Sequence, residues 1–442
     1  MAELDLETAR WLTSADGRAA VTTATRQLDE GATELAVAAG LQRLSAHAER
    51  RAAALEAATA RRRARGRWPD ADELLLTREA LEQASDPVVA DHRAGRLLAA
   101  LRAGSGTTDT VVDLCAGIGG DTIALARIVS EQDVQVVAVD IDASRLLLLA
   151  HNAEVAGVHV ATRRADALTV ELPSGSVLHT DPSRRRDGRR IRRLREHEPS
   201  VPALFAAHPD ASLWAVALAP GVDVEDRDLP EGIEVEYTQL GGALLEATVW
   251  TGPGHPVPGP DGQRRASATL LGDDGSVVTR GHVPAWRVRL PVGGIGRVLI
   301  EVAPSAVRAR LHDTIGRELG ARRIAQHRAL LTADAPPATS PWYRARPVLA
   351  ELSPRPRAVR RWLQDHELAT GTPPTVEVVL HGVMADPEAL WRDIGRPRRG
   401  PHGLRLEFIR RDHDSVTVVT DGSGRGVTDG SGHGVTDGSG RT

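Results

Sequence analysis

The 442-residue chain contains no lysine; all 55 of its basic residues are arginine. It has one cysteine, Cys115, and one asparagine, Asn152, and aromatic residues make up only 3%. A single cysteine excludes an internal disulfide framework and any cysteine-based zinc site. No apolar run approaches the roughly 20 residues that a membrane span needs. The opening MAELDLETARWL lacks the basic-then-apolar order of a signal peptide. A soluble, cytoplasmic protein is the expectation, and no His/Asp/Glu group has metal-ligand spacing. The net charge of −4 confines any nucleic-acid affinity to local patches. Exclusive use of arginine is a compositional bias, so arginine counts say little. Arginine placement says more, because a guanidinium fork matches phosphate bidentately.

The length implies two to four domains. Residues 1–104 read as a helical domain, rich in alanine, leucine, arginine and glutamate with apolar residues recurring at three and four. The run Arg61, Arg62, Arg63, Arg65 and Arg67 reads as a solvated helix end. From residue 105 to 255 short apolar runs alternate with helices. VVDL (111–114), VQVVAVD (134–140), VHVATRRAD (158–166), SVLHTD (176–181) and SLWAVAL (212–218) read as buried strands. Buried strands separated by helices imply a parallel sheet covered on both faces. IEVEYTQL and ALLEATVW, joined at Gly241-Gly242, read as a closing hairpin. PGPDG (258–262) suggests a linker, and residues 256–345 a β-rich extension with connecting helices. Residues 346–420 read as a small α+β domain, and the VTDGSG repeats of 421–442 as a disordered tail.

VVDLCAGIGGDT places a strand, a bend with Gly117, Gly119 and Gly120, and a helix in succession. Such a bend lets backbone approach a ligand while the helix N-terminus offers free N–H groups. A dinucleotide fingerprint would need a third glycine where Thr122 stands. An acid at the strand end, Asp113, suits the ammonium of S-adenosylmethionine instead. Asp140 at the next strand end suits ribose hydroxyls, and Asp166 after the third strand suits the adenine amine. Alone, each is an ordinary cap or loop acid; in this order they describe a cofactor site.

These residues carry a resemblance. VVDLCAGIGGDTIALA, VVAVDIDASRLLLLAHNAEVAGV and SDPVVADH look like the RNA cap guanine-N2 (trimethylguanosine synthase-like) methyltransferases over residues 82–182. VEVVLHGVMADPEALWRDIG is similar to the THUMP-like domain of a group of bacterial methyltransferases. That group also shares Glu82-Gln83-Ala84-Ser85 and the Asp-Pro-x-Arg-Arg pattern at Asp181, Pro182, Arg184 and Arg185. The resemblance implies an α/β, Rossmann-like class I methyltransferase core of seven strands, with S-adenosylmethionine as cofactor and RNA as partner.

Asp181 and Pro182 fall at the end of the fourth strand. Amine methyltransferases carry Asn/Asp-Pro-Pro-aromatic there, and this chain departs from it at Ser183 and Arg184. Eight arginines follow between Arg184 and Arg195. Arg184, Arg185, Arg189 and Arg190 are candidate RNA contacts, against the alternative of an exposed basic helix start. Uridine C5 methylation needs a cysteine nucleophile, and Cys115 reads as a filler within the glycine bend. His179 reads as a core residue, and His151 as one on the outer face of its helix. The expectation is an S-adenosylmethionine-dependent methyltransferase acting on RNA, base amines included. A small-molecule methyltransferase and a non-catalytic RNA-binding scaffold are the alternatives.

Overall fold

The structure is a computed structural model. It describes residues 4–103, 109–183, 185–186, 189–252, 263–281, 289–395, 397–400 and 403–422. The chain forms two compact units, residues 1–281 and 282–442.

The first unit opens with helices α1 (Leu6–Thr13), α2 (Ala15–Asp29), α3 (Glu34–Leu41), α4 (Ala48–Ala64), α5 (Arg78–Gln83) and α6 (Pro87–Ala103). Side-chain oxygens of Asp5, Ser14, Thr33 and Thr77 cap α1, α2, α3 and α5 by accepting from first-turn N–H groups. Alanines dominate the interfaces: Ala20 and Ala24 of α2 and Ala54, Ala57 and Ala58 of α4 are fully buried. Small side chains let these helices approach closely, and leucines fill what remains.

Nine strands follow in one sheet: β1 (Thr110–Leu114), β2 (Gln135–Asp140), β3 (Ala161–Arg164), β4 (Val177–Thr180), β5 (Leu213–Leu218), β6 (Glu234–Leu240), β7 (Ala243–Thr251), β8 (Arg265–Leu271) and β9 (Val277–Arg280). Helices α7 (Gly120–Ile128), α8 (Ala143–Val155) and α9 (Val201–Ala207) connect the parallel strands. The spatial order is β3-β2-β1-β4-β5-β7-β6-β8-β9. The seven strands β1 to β7 are those of a class I methyltransferase, with β7 antiparallel to both its neighbours. Strand order reverses at β1, because the parallel strands β2 and β4 flank it on opposite sides. Ligand crevices of doubly wound sheets open at such a point.

The expected division of residues 256–345 does not follow the strands. β8 lies parallel to β6 and extends the methyltransferase sheet, with β9 antiparallel at its edge. The rest of that segment belongs to the second unit. There β10 (Val298–Val302), β11 (Arg322–Arg323), β12 (Leu330–Ala333), β13 (Tyr343–Leu352), β14 (Thr375–His381), β15 (Arg398–Arg399), β16 (Leu404–Arg410) and β17 (Ser415–Asp421) form a single sheet. Strand β13 explains why no boundary falls near residue 345. Its first half pairs with β10 and, after a register shift between Val348 and Ala350, its second half pairs with β17. Helices α10 (Pro304–Arg308), α11 (His312–Glu318), α12 (Pro356–Thr370) and α13 (Pro387–Asp393) complete the unit. The tail repeats from residue 423 lie outside the described residues.

Candidate functional site

After β1 the backbone passes through Cys115, Gly117 and Gly119 with φ of 62°, 56° and 95°. Hydrogen bonds from Ala116 N–H to the Val139 carbonyl (3.1 Å) and from Gly119 N–H to the Ala116 carbonyl (3.0 Å) pin this bend against β2. A Cβ on Gly119 would lie 2.8 Å from Leu149 Cγ, so packing against α8 requires glycine there. A Cβ on Gly117 would meet nothing within 4 Å, and that residue faces an open cleft.

The cleft holds about 1920 Å³ at the C-terminal ends of the parallel strands. One wall comes from the glycine bend and the strand ends, including Asp140, Asp166, Asp181 and Pro182. The facing wall comes from the N-terminal helices, with Ala52, Ala53, Glu56 and Leu76 among its residues. Asp140 is anchored on both oxygens: Oδ2 accepts from Gly117 N–H at 2.9 Å and Oδ1 from Asp142 N–H at 2.8 Å. Each oxygen keeps a second lone pair, so the carboxylate can still accept two hydroxyls. Asp166 is exposed, with Oδ1 accepting from Leu168 N–H at 2.8 Å.

Asp113 is a correction. Its carboxylate does not face the cleft but is buried beneath the bend. Oδ1 meets His179 Nδ1 at 2.7 Å, and Oδ2 accepts from the Thr122 hydroxyl. The short β1 leaves the acid on the inner face, opposite a histidine in register on β4. Burial disfavours a charged His179, but Asp113 and Asp121 outweigh it and raise the imidazole above its ordinary range. His179 is thus a core residue, as expected, paired to the strand-end acid. Gly119 also stays off the cleft surface and shapes the bend from behind. Burial and nearby Asp140 push the Cys115 thiol up to about 12, so it remains protonated and is no nucleophile at neutral pH.

Several residues that organise this site carry no local sequence signal. Asn152 of α8 is buried; its amide donates to the Leu75 and Ile118 carbonyls (both 3.1 Å) and its oxygen accepts from Leu75 N–H at 2.8 Å. One side chain therefore clamps the helical segment to the glycine bend. Arg93 of α6 is buried and bonds Asp121 at the start of α7, Glu246 on β7, and the Ser85 hydroxyl at 2.8 Å. His151 is half-buried rather than outward, with Nε2 3.1 Å from the Glu73 carbonyl. In the run from Arg61, Arg62, Arg63, Arg65 and Arg67 are exposed, as expected of a solvated helix end, and Arg61 alone departs from that reading. Arg61 is 2% exposed and donates to the carbonyls of Leu74 (2.7 Å) and Glu73 (3.0 Å). Burial lowers its guanidinium to about 10. Arg65 bonds Asp29 and Asp72, and Arg67 pairs with Asp86.

The second arginine run leaves the cleft wall. Ser183 and Glu198 exchange backbone hydrogen bonds (3.0 and 3.2 Å), closing the base of an excursion between them. Within it Arg185 and Arg186 pair antiparallel with Arg190 and Arg189, so the stretch is a short ribbon, not a helix start. Arg184 and the side chains of Arg185, Arg189 and Arg190 lie outside the described residues. Arg192 and Arg193 are exposed, and Arg195 pairs with Asp228 at 2.8 Å. Among the described residues no group could hold a metal ion and no helix is long and apolar enough to cross a membrane.

The comparisons agree with this geometry. The family model for RNA cap guanine-N2 methyltransferases matches residues 108–183, from β1 through Asp181 and Pro182. Two uncharacterized S-adenosylmethionine-dependent methyltransferases of Mycobacterium tuberculosis, strains CDC 1551 and H37Rv, are each 29% identical over 374 residues. The match covers 83% of this chain and 94% of each relative. The crystal structure of a candidate methyltransferase from Porphyromonas gingivalis W83 shares the fold at a TM-score of 0.66 and 18% identity, over 91% of this chain and 98% of that one. The chain has the fold of the class I methyltransferases, and its sequence is similar to S-adenosylmethionine-dependent methyltransferases.

Proposed function

We propose that this enzyme methylates RNA, at an exocyclic amine of a base placed against Asp181 and Pro182. The supporting observation is that these two residues share a cleft with Asp140, Asp166 and the glycine bend, and that the arginine ribbon departs from the next residue. Bound S-adenosylmethionine supplies a methyl group on a sulfonium, open to direct displacement. Asp140 accepts from its ribose hydroxyls and Asp166 from its adenine amine, while Gly117 gives it room. Asp181 accepts a proton-bearing N–H of the target amine and orients its lone pair, and the helical wall keeps water out.

Charge is divided in a way that suits RNA. The cleft itself presents carboxylates (Asp121, Asp140, Asp142, Asp166, Asp181, Glu198), which favour N–H donors and repel phosphate. Arg78 and Arg145 are the arginines of its lining, while Arg192 and Arg193 are exposed outside it and available to a polynucleotide backbone. The THUMP-like resemblance of residues 346–420 extends the proposal to a second RNA contact in that domain. A second reading, methylation of a small basic molecule, is favoured by Glu49, Glu56, Glu79 and Glu82 on the helical wall. Nucleoside mass spectrometry of RNA from cells carrying the wild-type gene or Asp181→Ala tests the proposal. The expected result is one methylated nucleoside that vanishes in the variant; identical nucleoside profiles would overturn it.

A further inference from the structure

We propose that Asp121, fixed by Arg93 and Ser85, is the carboxylate that receives the ammonium of the cofactor's methionine portion in this chain. This deepens the cofactor reading and rests on it. The strand-end acid cannot fill that role, because Asp113 is 2% exposed and already engaged by His179 and Thr122. Asp121 stands one residue beyond the last glycine of the bend, in the first turn of α7, and lines the cleft. A carboxylate there lies beside the free N–H groups of the helix start, which suit the carboxylate of the same amino acid.

The surroundings make Asp121 a held anion with capacity to spare. Arg93 donates to Oδ1 and the Ser85 hydroxyl to Oδ2 at 3.2 Å, so each oxygen retains a lone pair. Arg93 also serves Glu246, so, with His179 balanced by its partner Asp113, one fixed cation faces two carboxylates. The buried cluster thus keeps one negative charge beside the cleft, which a ligand ammonium would offset. Burial disfavours the Asp121 anion, but Arg93 and His179 outweigh it and hold the carboxyl below its ordinary range. Ser85 closes the Glu82-Gln83-Ala84-Ser85 segment, whose first three residues line the cleft. That segment has an assignment on this view: it delivers the hydroxyl that, with Arg93, orients Asp121.

Calorimetric titration of the full-length protein with two probes tests the assignment. S-adenosylhomocysteine carries the ammonium; 5′-methylthioadenosine has the same nucleoside thioether without the amino acid. Asp121→Asn is expected to weaken S-adenosylhomocysteine by about tenfold or more, the worth of a charge-assisted bond, while leaving 5′-methylthioadenosine within about twofold. Ser85→Ala keeps the carboxylate and loosens one of its holders, so the same selective loss should appear at several-fold. It also serves as the test should Asp121→Asn fail to fold. Unchanged S-adenosylhomocysteine binding in Asp121→Asn, or equal loss for both probes in both variants, would overturn the assignment. A wild-type protein that binds neither probe would remove the cofactor reading itself and this assignment with it.

Discussion

Two arginine runs in this chain are both dense in charge, yet one sends a member into the core and the other, at its described side chains, does not. In the first, Arg61 is buried on backbone carbonyls while Arg65 and Arg67 pair with Asp29, Asp72 and Asp86. In the second, Arg192 and Arg193 are exposed just after the ribbon, Arg193 beside Glu196, and Arg195 pairs with Asp228. Charge density along a sequence therefore does not separate a buried structural cation from a solvent-facing one. What separates them is whether acceptors arrive from elsewhere in the chain. Around Arg61 the loop at 73–74 supplies them; Arg192 and Arg193 stay exposed, with Glu196, three residues along, as Arg193's partner.

The largest expected effect is at Arg61. Removing its side chain takes the Arg61 donor from the Leu74 carbonyl, leaves the Glu73 carbonyl with His151 alone, and opens a cavity between helices. Arg61→Ala should lose about 3 kcal/mol or more of unfolding free energy, measured by denaturant titration. A loss below about 1 kcal/mol would mean that the first run is as solvated as the second, and the contrast would fail.

His179 sharpens the comparison, because its cation can be switched off where arginine's cannot. Its folded-state value is raised, so the stabilisation it draws from Asp113 is full below the ordinary imidazole value and fades as pH rises through the folded value. His179→Gln should therefore cost most stability below about pH 6 and progressively less above about pH 6.5. Thermal unfolding of both proteins across that range checks it; a gap that widens with pH would contradict the raised value.

The smallest effect on stability is expected in the second run. Arg192→Ala/Arg193→Ala should leave the melting temperature within about 1 °C, since exposed side chains away from packed features contribute little. The same variant should bind RNA more weakly and flatten the dependence of log affinity on log salt by about 1.4, the share of two single-strand phosphate contacts. A stability loss with an unaltered salt slope would invert the comparison.

Much of the site was legible from strand ends alone. Asp140 ends and Asp181 follows a buried strand, Asp166 follows the exposed edge strand β3, and parallel topology must gather such positions along one edge of the sheet. The hairpin at Gly241-Gly242 and the order of the core strands were legible for similar reasons, since period and turn chemistry are local. Asp113 was not, because the direction of its carboxylate depends on His179, 66 residues away. Asn152 and Arg93 escaped for the same reason: their partners lie on elements that meet only in the folded chain. The strand pairings of 265–333 were also hidden, because β-rich character does not say which sheet a strand will join. Buried arginine defeats a reading that treats charge as solvated, and Arg61 is that case.

On the proposed function, the glycine bend and Asp140 hold the nucleoside of S-adenosylmethionine. Titrating S-adenosylmethionine calorimetrically into the wild type and Asp140→Asn tests it most directly. The prediction is single-site binding by the wild type, weakened by about tenfold or more in the variant as the ribose loses its charged acceptor. Equal affinity in the two proteins, or no binding by the wild type, would contradict it.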